Sequence, residues 1–259
     1  MIIDINAHVG AYPFRALPHR TAAELASHLE QNGITRALVS SLPAVFYRDT
    51  HRGNEELYAE TQAWRERLVP IATINPKYAG WERDLQQAVK EWGMKAVALY
   101  PEYHGYALSD AHGRAVLTRV TELGVPIVLS QRLEDRRQRH AWDRAEDLNL
   151  LHVLEAARAH PKLRFSLTNW AALDGAKLAA AGLQGRCLID FARLHVVLRR
   201  EVPKLIASLG VESVAFGSHA PFDYMGSSLV KLANLEHLPA ADYERIAARN
   251  AAAFFGLEA

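Results

Sequence analysis

One phrase recurs along this chain: an amphipathic helical pattern, a glycine, then a short apolar run. It reads HLEQNG-ITRALVSS with Gly33, AVKEWG-MKAVALY with Gly93, RVTELG-VPIVLS with Gly124, and LIASLG-VESVAFGS with Gly210. A glycine directly after a helix accepts the left-handed conformation that closes the last turn. The run that follows is too short for a helix. It is rich in β-branched and apolar residues, as a strand buried on both faces requires. Helix and strand repeating in this order predict a parallel sheet.

Eight strands are expected, at residues 2–7, 37–41, 69–73, 96–100, 127–130, 164–168, 187–191 and 214–217. Helical patterns lie between them, at 21–31, 54–65, 81–92 and 110–123. Eight strands with intervening helices in 259 residues predict one α/β domain, a closed (β/α)8 TIM-like barrel over residues 1–259. An open doubly wound sheet is the alternative, but no G-x-G-x-x-G or phosphate-binding G-x-x-x-x-G-K-[ST] loop follows any strand. Hydrophobic residues make up 49% of the chain, enough to fill both the barrel and the layer around it. The longest stretch without the repeat runs from Ser130 to about Asp147, a βα loop placed to act as a lid.

Charge and cysteine content narrow the function. Thirty Lys and Arg against 29 Asp and Glu leave a formal net charge of +1, so no global field recruits nucleic acid or an anionic membrane. The local basic cluster at Arg132, Arg136, Arg137 and Arg139 is interleaved with Glu134 and Asp135 and reads as a solvated loop. The single cysteine, Cys187, excludes an internal disulfide and a zinc-finger pattern. The opening MIIDINAH carries no basic segment followed by an apolar one, and no stretch nears the roughly 20 apolar residues of a membrane span. A cytoplasmic protein acting on a small molecule is the expectation.

In a barrel, function collects at the C-terminal ends of the strands. Strict alternation along the first strand puts Asp4, Asn6 and His8 on one face and Ile3, Ile5 and Ala7 on the other, with the polar set inward. On the last strand, Val214 and Phe216 suit the helix layer, and Ala215, Gly217 and His219 the interior. First and last strands are neighbours in a closed barrel, so His8 and His219 are expected to meet at the mouth. Asp190 ends the seventh strand and Asn169 the sixth. Each has a plainer reading: a hydrogen-bonded structural histidine, a helix-capping aspartate, a polar lining asparagine. His104, in YPEYHGY, belongs to a substrate-contact loop or to a packed turn. His19, His28, His51, His112, His152, His160 and His237 read as surface.

These strand ends resemble those of the amidohydrolase-related (amidohydrolase-2) family of metal-dependent hydrolases and decarboxylases. DINAH at residues 4–8 is similar to that family's D-x-H-x-H, and VAFGSHAPF to its G-S-D-x-P strand. GNEELYAE followed by LVPIATINP resembles its helix and N-P turn, and RNAAAFFGL its closing helix. The resemblance implies a TIM barrel, a divalent-metal site and barrels that often form homodimers. Its metal motif is degenerate here. The positions of family histidines hold Asn6, Ser130 (or Gln131 with a one-residue shift) and Asn169, and the position of the catalytic aspartate holds His219. Asn, Ser and Gln are weak neutral donors. N-x-H, Y-H-G-Y and G-S-H-x-P-F together also resemble a less studied branch of that family.

Three functions follow. In the first, a metal-free hydrolase of an amide, ester or lactone, His8 or His219 is the general base, Asp190 orients the imidazole, and Asn6 and Asn169 donate to the oxyanion. In the second, a divalent ion such as zinc sits on His8, His219 and Asp190 and supports hydrolysis or decarboxylation; Glu134, His104 or His140 are other conceivable third ligands. In the third, the barrel binds without catalysing. Gln131, Arg132 and His104 are expected among the substrate contacts. The aromatics Phe46, Tyr47, Tyr103, Tyr106 and Trp142, with Arg48 and Arg132, point to a partly apolar ligand that carries an anion, or simply to packed loops.

Overall fold

The computed structural model describes residues 1–194 and 198–258. Among them, nine parallel strands alternate with helices: β1 (Ile3–Val9), β2 (Arg36–Ser41), β3 (Leu68–Pro70), β4 (Ala72–Thr73), β5 (Val97–Leu99), β6 (Ile127–Ser130), β7 (Phe165–Thr168), β8 (Cys187–Asp190) and β9 (Val214–Ala215). The third expected strand is divided at Ile71. β3 pairs with β2 and β4 with β5, because the amides of Ile71 and Ala72 bond to opposite neighbours, Val39 and Ala96. Pro70 has no amide to contribute. The ring closes where Ile5 N donates to Phe216 O at 3.0 Å, His8 N to Ala220 O at 2.8 Å and His219 N to Asn6 O at 2.8 Å.

Helix boundaries follow local chemistry. Thr21 and Glu24 form a capping box before the helix Ala22–Gln31. Asp110 caps the helix Ala111–Leu123, which ends at Gly124 with φ 72°. This is the left-handed stop that the recurring phrase predicts.

Two apolar layers form. Ala37, Val39, Val97, Leu99, Leu129, Leu167, Ile189 and Phe216 face the helices. Leu38, Ala96, Ala98, Val128, Leu188 and Ala215 fill the barrel. Ala251 and Phe255, from the closing helix Asn250–Phe255, join that interior layer and pack against the first and last strands.

β1 departs from the expected alternation. Ile3 and Ile5 lie with the interior set, while Ala7 and Val9 lie with the outer set. The register with β2 shifts between Asp4 and Ala7, and such an irregularity changes which face a side chain takes. Asp4 is therefore not a lining residue of the mouth. Its carboxylate accepts from the amides of Asn6 and Ser218, both at 2.9 Å, and from the Ser218 hydroxyl at 2.5 Å. It ties the first strand to the segment after β9.

No helix among the described residues is long and apolar enough to cross a membrane.

Candidate active site

At the C-terminal ends of the strands the interior turns polar. His8 arrives from β1, Ser40 from β2, Ser130 from β6, Asn169 from just beyond β7, Asp190 from β8 and His219 from beyond β9. Three non-glycine residues among those described have positive φ, and two are Asn169 at 60° and His219 at 59°. Backbone of this kind costs about 1–2 kcal/mol per residue. It is concentrated here, where it aims two side chains into the mouth.

His8 and His219 meet. Their ring centroids are 5.6 Å apart with planes at 84°. His8 Nδ1 lies 2.7 Å from Ser40 Oγ, and His219 Nδ1 lies 3.1 Å from Asp223 Oδ2. A carboxylate only accepts, so Nδ1 of His219 carries the hydrogen and its Nε2 keeps a lone pair. Both Nε2 atoms are buried and have no hydrogen-bond partner. Burial lowers the pKa of both rings, His8 well below its usual value, with the neighbouring His219 adding to the effect. For His219 the carboxylate of Asp223 opposes the shift. Burial thus favours the neutral form of both imidazoles.

Beside the pair lies a closed amide–carboxylate network. Asn6 Nδ2 donates to Asn169 Oδ1 at 2.8 Å and to Asp190 Oδ2 at 2.6 Å. The Asn169 amide donates to Asp190 Oδ1 at 3.1 Å, and Asn169 Nδ2 to Ser130 Oγ at 2.8 Å. Burial raises the pKa of Asp190 to about 6 despite these donors. Gly217 is required alongside, because a Cβ there would lie 2.7 Å from that of Asp190.

Three expected roles change. Asp190 does not orient an imidazole: its oxygens hold Asn6 and Asn169, and Asp223 orients His219 instead. Asn6 has both amide hydrogens engaged and none left for an oxyanion. His104 is in the packed turn, with Nε2 3.1 Å from the Val45 carbonyl oxygen and its pKa lowered by burial to about 4. Gln131 Oε1 accepts from the Ala171 amide at 3.1 Å. Arg132 pairs with Asp147 at 2.6 Å. Both brace the loop base, and both line a small cleft together with Tyr100, Tyr103 and Ser130. The arginines expected to be solvated split: Arg137 is exposed, whereas Arg139 is half-buried between Asp143 at 3.8 Å and Asp147 at 3.4 Å.

A roof covers the pair. Phe222 stacks on His219 at 4.9 Å and meets His8 edge-on at 5.8 Å. Tyr12 packs on Phe222 at 4.9 Å. The Tyr12 hydroxyl reaches Glu134 at 3.0 Å and Asp143 at 3.2 Å, and Tyr103 also donates to Asp143 at 3.0 Å. Four βα loops, those after β1, β5, β6 and β9, thus meet over the mouth.

A metal does not fit these donors. Among the described residues no three His, Cys, Asp or Glu side chains converge as a ligand set. The two imidazole Nε2 atoms are unpartnered, and the oxygens of Asp190 are bonded to Asn6 and Asn169.

Comparison with known proteins agrees with the fold. The family model described as Amidohydrolase matches residues 3–257. No curated protein matches the chain. Among solved structures, 5-carboxyvanillate decarboxylase from Sphingomonas paucimobilis is similar, with TM-score 0.75, 14% identity and 99% of each chain covered. So is 2,6-dihydroxybenzoate decarboxylase from Rhizobium, with TM-score 0.70, 16% identity, and 100% of this chain and 99% of that one covered. The 4-oxalomesaconate hydratase of Rhodopseudomonas palustris follows at TM-score 0.68 and 14% identity, with 99% of this chain and 96% of that one covered. At such identities the likeness is one of fold.

Proposed function

The chain belongs to the amidohydrolase family, and from that premise we propose that it is a metal-independent acid–base hydrolase of a small ester or lactone. The observation that carries this reading is the facing pair His8 and His219. Each has Nδ1 held by a partner and Nε2 left unpaired.

The roles follow from the partners. His219 Nε2 takes a proton from water as the water oxygen bonds to the substrate carbonyl carbon. Asp223 stabilises the imidazolium that results. In this reading the Ser40 hydroxyl donates to His8 Nδ1, so His8 carries its hydrogen on Nε2 and gives it to the leaving oxygen as the acyl C–O bond breaks. The second amide hydrogen of Asn169 is the donor for the developing oxyanion. Proton exchange with solvent then restores both rings.

An assay on uncharged aryl esters and lactones tests this. His219→Gln and His8→Gln should each lose roughly 10²–10⁴-fold in kcat/KM, and full activity in His219→Gln would sink the assignment. Decarboxylation is a second reading, favoured by the similarity to two decarboxylases and by the aromatic roof. There His8 Nε2–H would protonate the ring carbon as carbon dioxide leaves. Release of carbon dioxide from a hydroxybenzoate, without ester cleavage, would establish it.

A further inference from the structure

Both guanidinium groups near the histidine pair are engaged by carboxylates. Arg15 Nε lies 2.6 Å from Glu134 Oε1, and the Arg15 guanidinium sits 5.9 Å from the centroid of Phe222, the ring stacked on His219. Arg193 pairs with Asp223 at 3.3 Å. Glu134 is 1% exposed, and its other oxygen accepts from Tyr12. A buried carboxylate this close to a cation cancels its field at short range. An anionic ligand entering beneath Phe222 would shed its hydration where the described cations nearby are already engaged, Arg15 and Arg193 by carboxylates and Lys231 by the carbonyl oxygens of Phe191, Ala192 and Leu194, and Asp223 and Asp190 would repel it.

We infer that Glu134 is a specificity residue, which neutralises Arg15 and restricts the site to uncharged substrates. This rests on the hydrolytic reading for the location of the site and goes beyond it in naming the substrate class. It also separates this chain from the carboxylate-named enzymes whose fold it shares. Glu134 touches no reacting atom; it acts through Arg15.

The test compares coumarin, an uncharged aryl lactone, with coumarin-3-carboxylate by isothermal titration against the whole protein. The wild type is expected to bind coumarin at least tenfold more tightly than the carboxylate. Glu134→Gln keeps an acceptor for Tyr12 and frees Arg15. It should raise affinity for the carboxylate roughly tenfold, within the range for exposing one buried charge, and leave coumarin unchanged. Arg15→Gln added to Glu134→Gln should abolish that gain, which separates a charge effect from loosened packing. Equal binding of both probes by the wild type, or an unchanged ratio in Glu134→Gln, overturns the inference. Selective binding of coumarin without any ester or lactone turnover would remove the hydrolytic reading and leave the charge selectivity standing. Binding of neither probe overturns both.

Discussion

Asp223 lies four residues beyond His219, and its carboxylate oxygen stands 3.1 Å from the ring's Nδ1. The contact fixes the tautomer, and Arg193 Nε, 3.3 Å from the same oxygen, helps hold the carboxylate in place. Asp223→Asn retains the shape and removes the charge. Because the carboxylate raises the pKa of His219, the variant's ring becomes less basic. The acid limb of kcat/KM should move to lower pH while the plateau falls by roughly 10²-fold or more. A pH–rate profile checks both, and an unmoved limb would show that His219 is not the base.

Metal removal provides a second prediction. With two imidazole nitrogens and no converging third ligand among the described residues, exhaustive treatment with a chelator should leave activity unchanged. Elemental analysis of protein purified without a histidine tag should find far less than one zinc or manganese per chain. Near-stoichiometric metal, lost together with activity, contradicts this reading of the donor set.

Asp4 makes stability depend on pH in an unusual direction. Burial raises its pKa from 3.8 to about 7, against the hydrogen bonds from Ser218 and Asn6. Between those pH values the folded chain holds a proton that the unfolded chain has released. The group's contribution is therefore greatest at the acidic end and declines as pH rises through the window. The stability difference between wild type and Asp4→Asn, followed by urea unfolding, should shrink as pH rises from 4 to 7. A difference that grows over this range overturns the assignment.

Gly217 is a packing constraint on the site. In Gly217→Ala the added methyl would overlap Asp190, whose Cβ lies 2.7 Å from its position. Overpacking of this kind costs about 1–3 kcal/mol. The melting temperature should fall, and activity should fall with it, because Asp190 positions Asn6 and Asn169. A variant as stable and active as the wild type would show that the strand moves freely.

Much of this arrangement is legible in the sequence, and the remainder has identifiable causes. The repeated helix–glycine–strand phrase predicts the barrel, and the assignment of Val214, Ala215 and Phe216 to alternating faces agrees with the structure. Along β1 the same rule fails, because the shift between Asp4 and Ala7 resets the phase and periodicity cannot register one irregular residue. The meeting of His8 and His219 follows from strand adjacency alone. Their partners do not. Asp223 lies past the G-S-H-x-P-F stretch, in a turn whose course no alternation rule describes. Its i,i+4 spacing from a strand-end histidine was the available signal. Ser40 was signalled only as a polar residue closing an apolar strand. Asp190, read by composition as an acid at a strand end, could not be told from an orienting group until its two amide partners were located.

The roof over the histidines carries a kinetic consequence. Tyr12, Tyr103 and Phe222 draw three separate loops over nitrogens that solvent does not touch. A ligand arriving at the mouth therefore waits for those loops to part, however concentrated it is. Its observed association rate should rise with concentration and then level off at the rate of opening, and loosening Tyr12 should lift that ceiling.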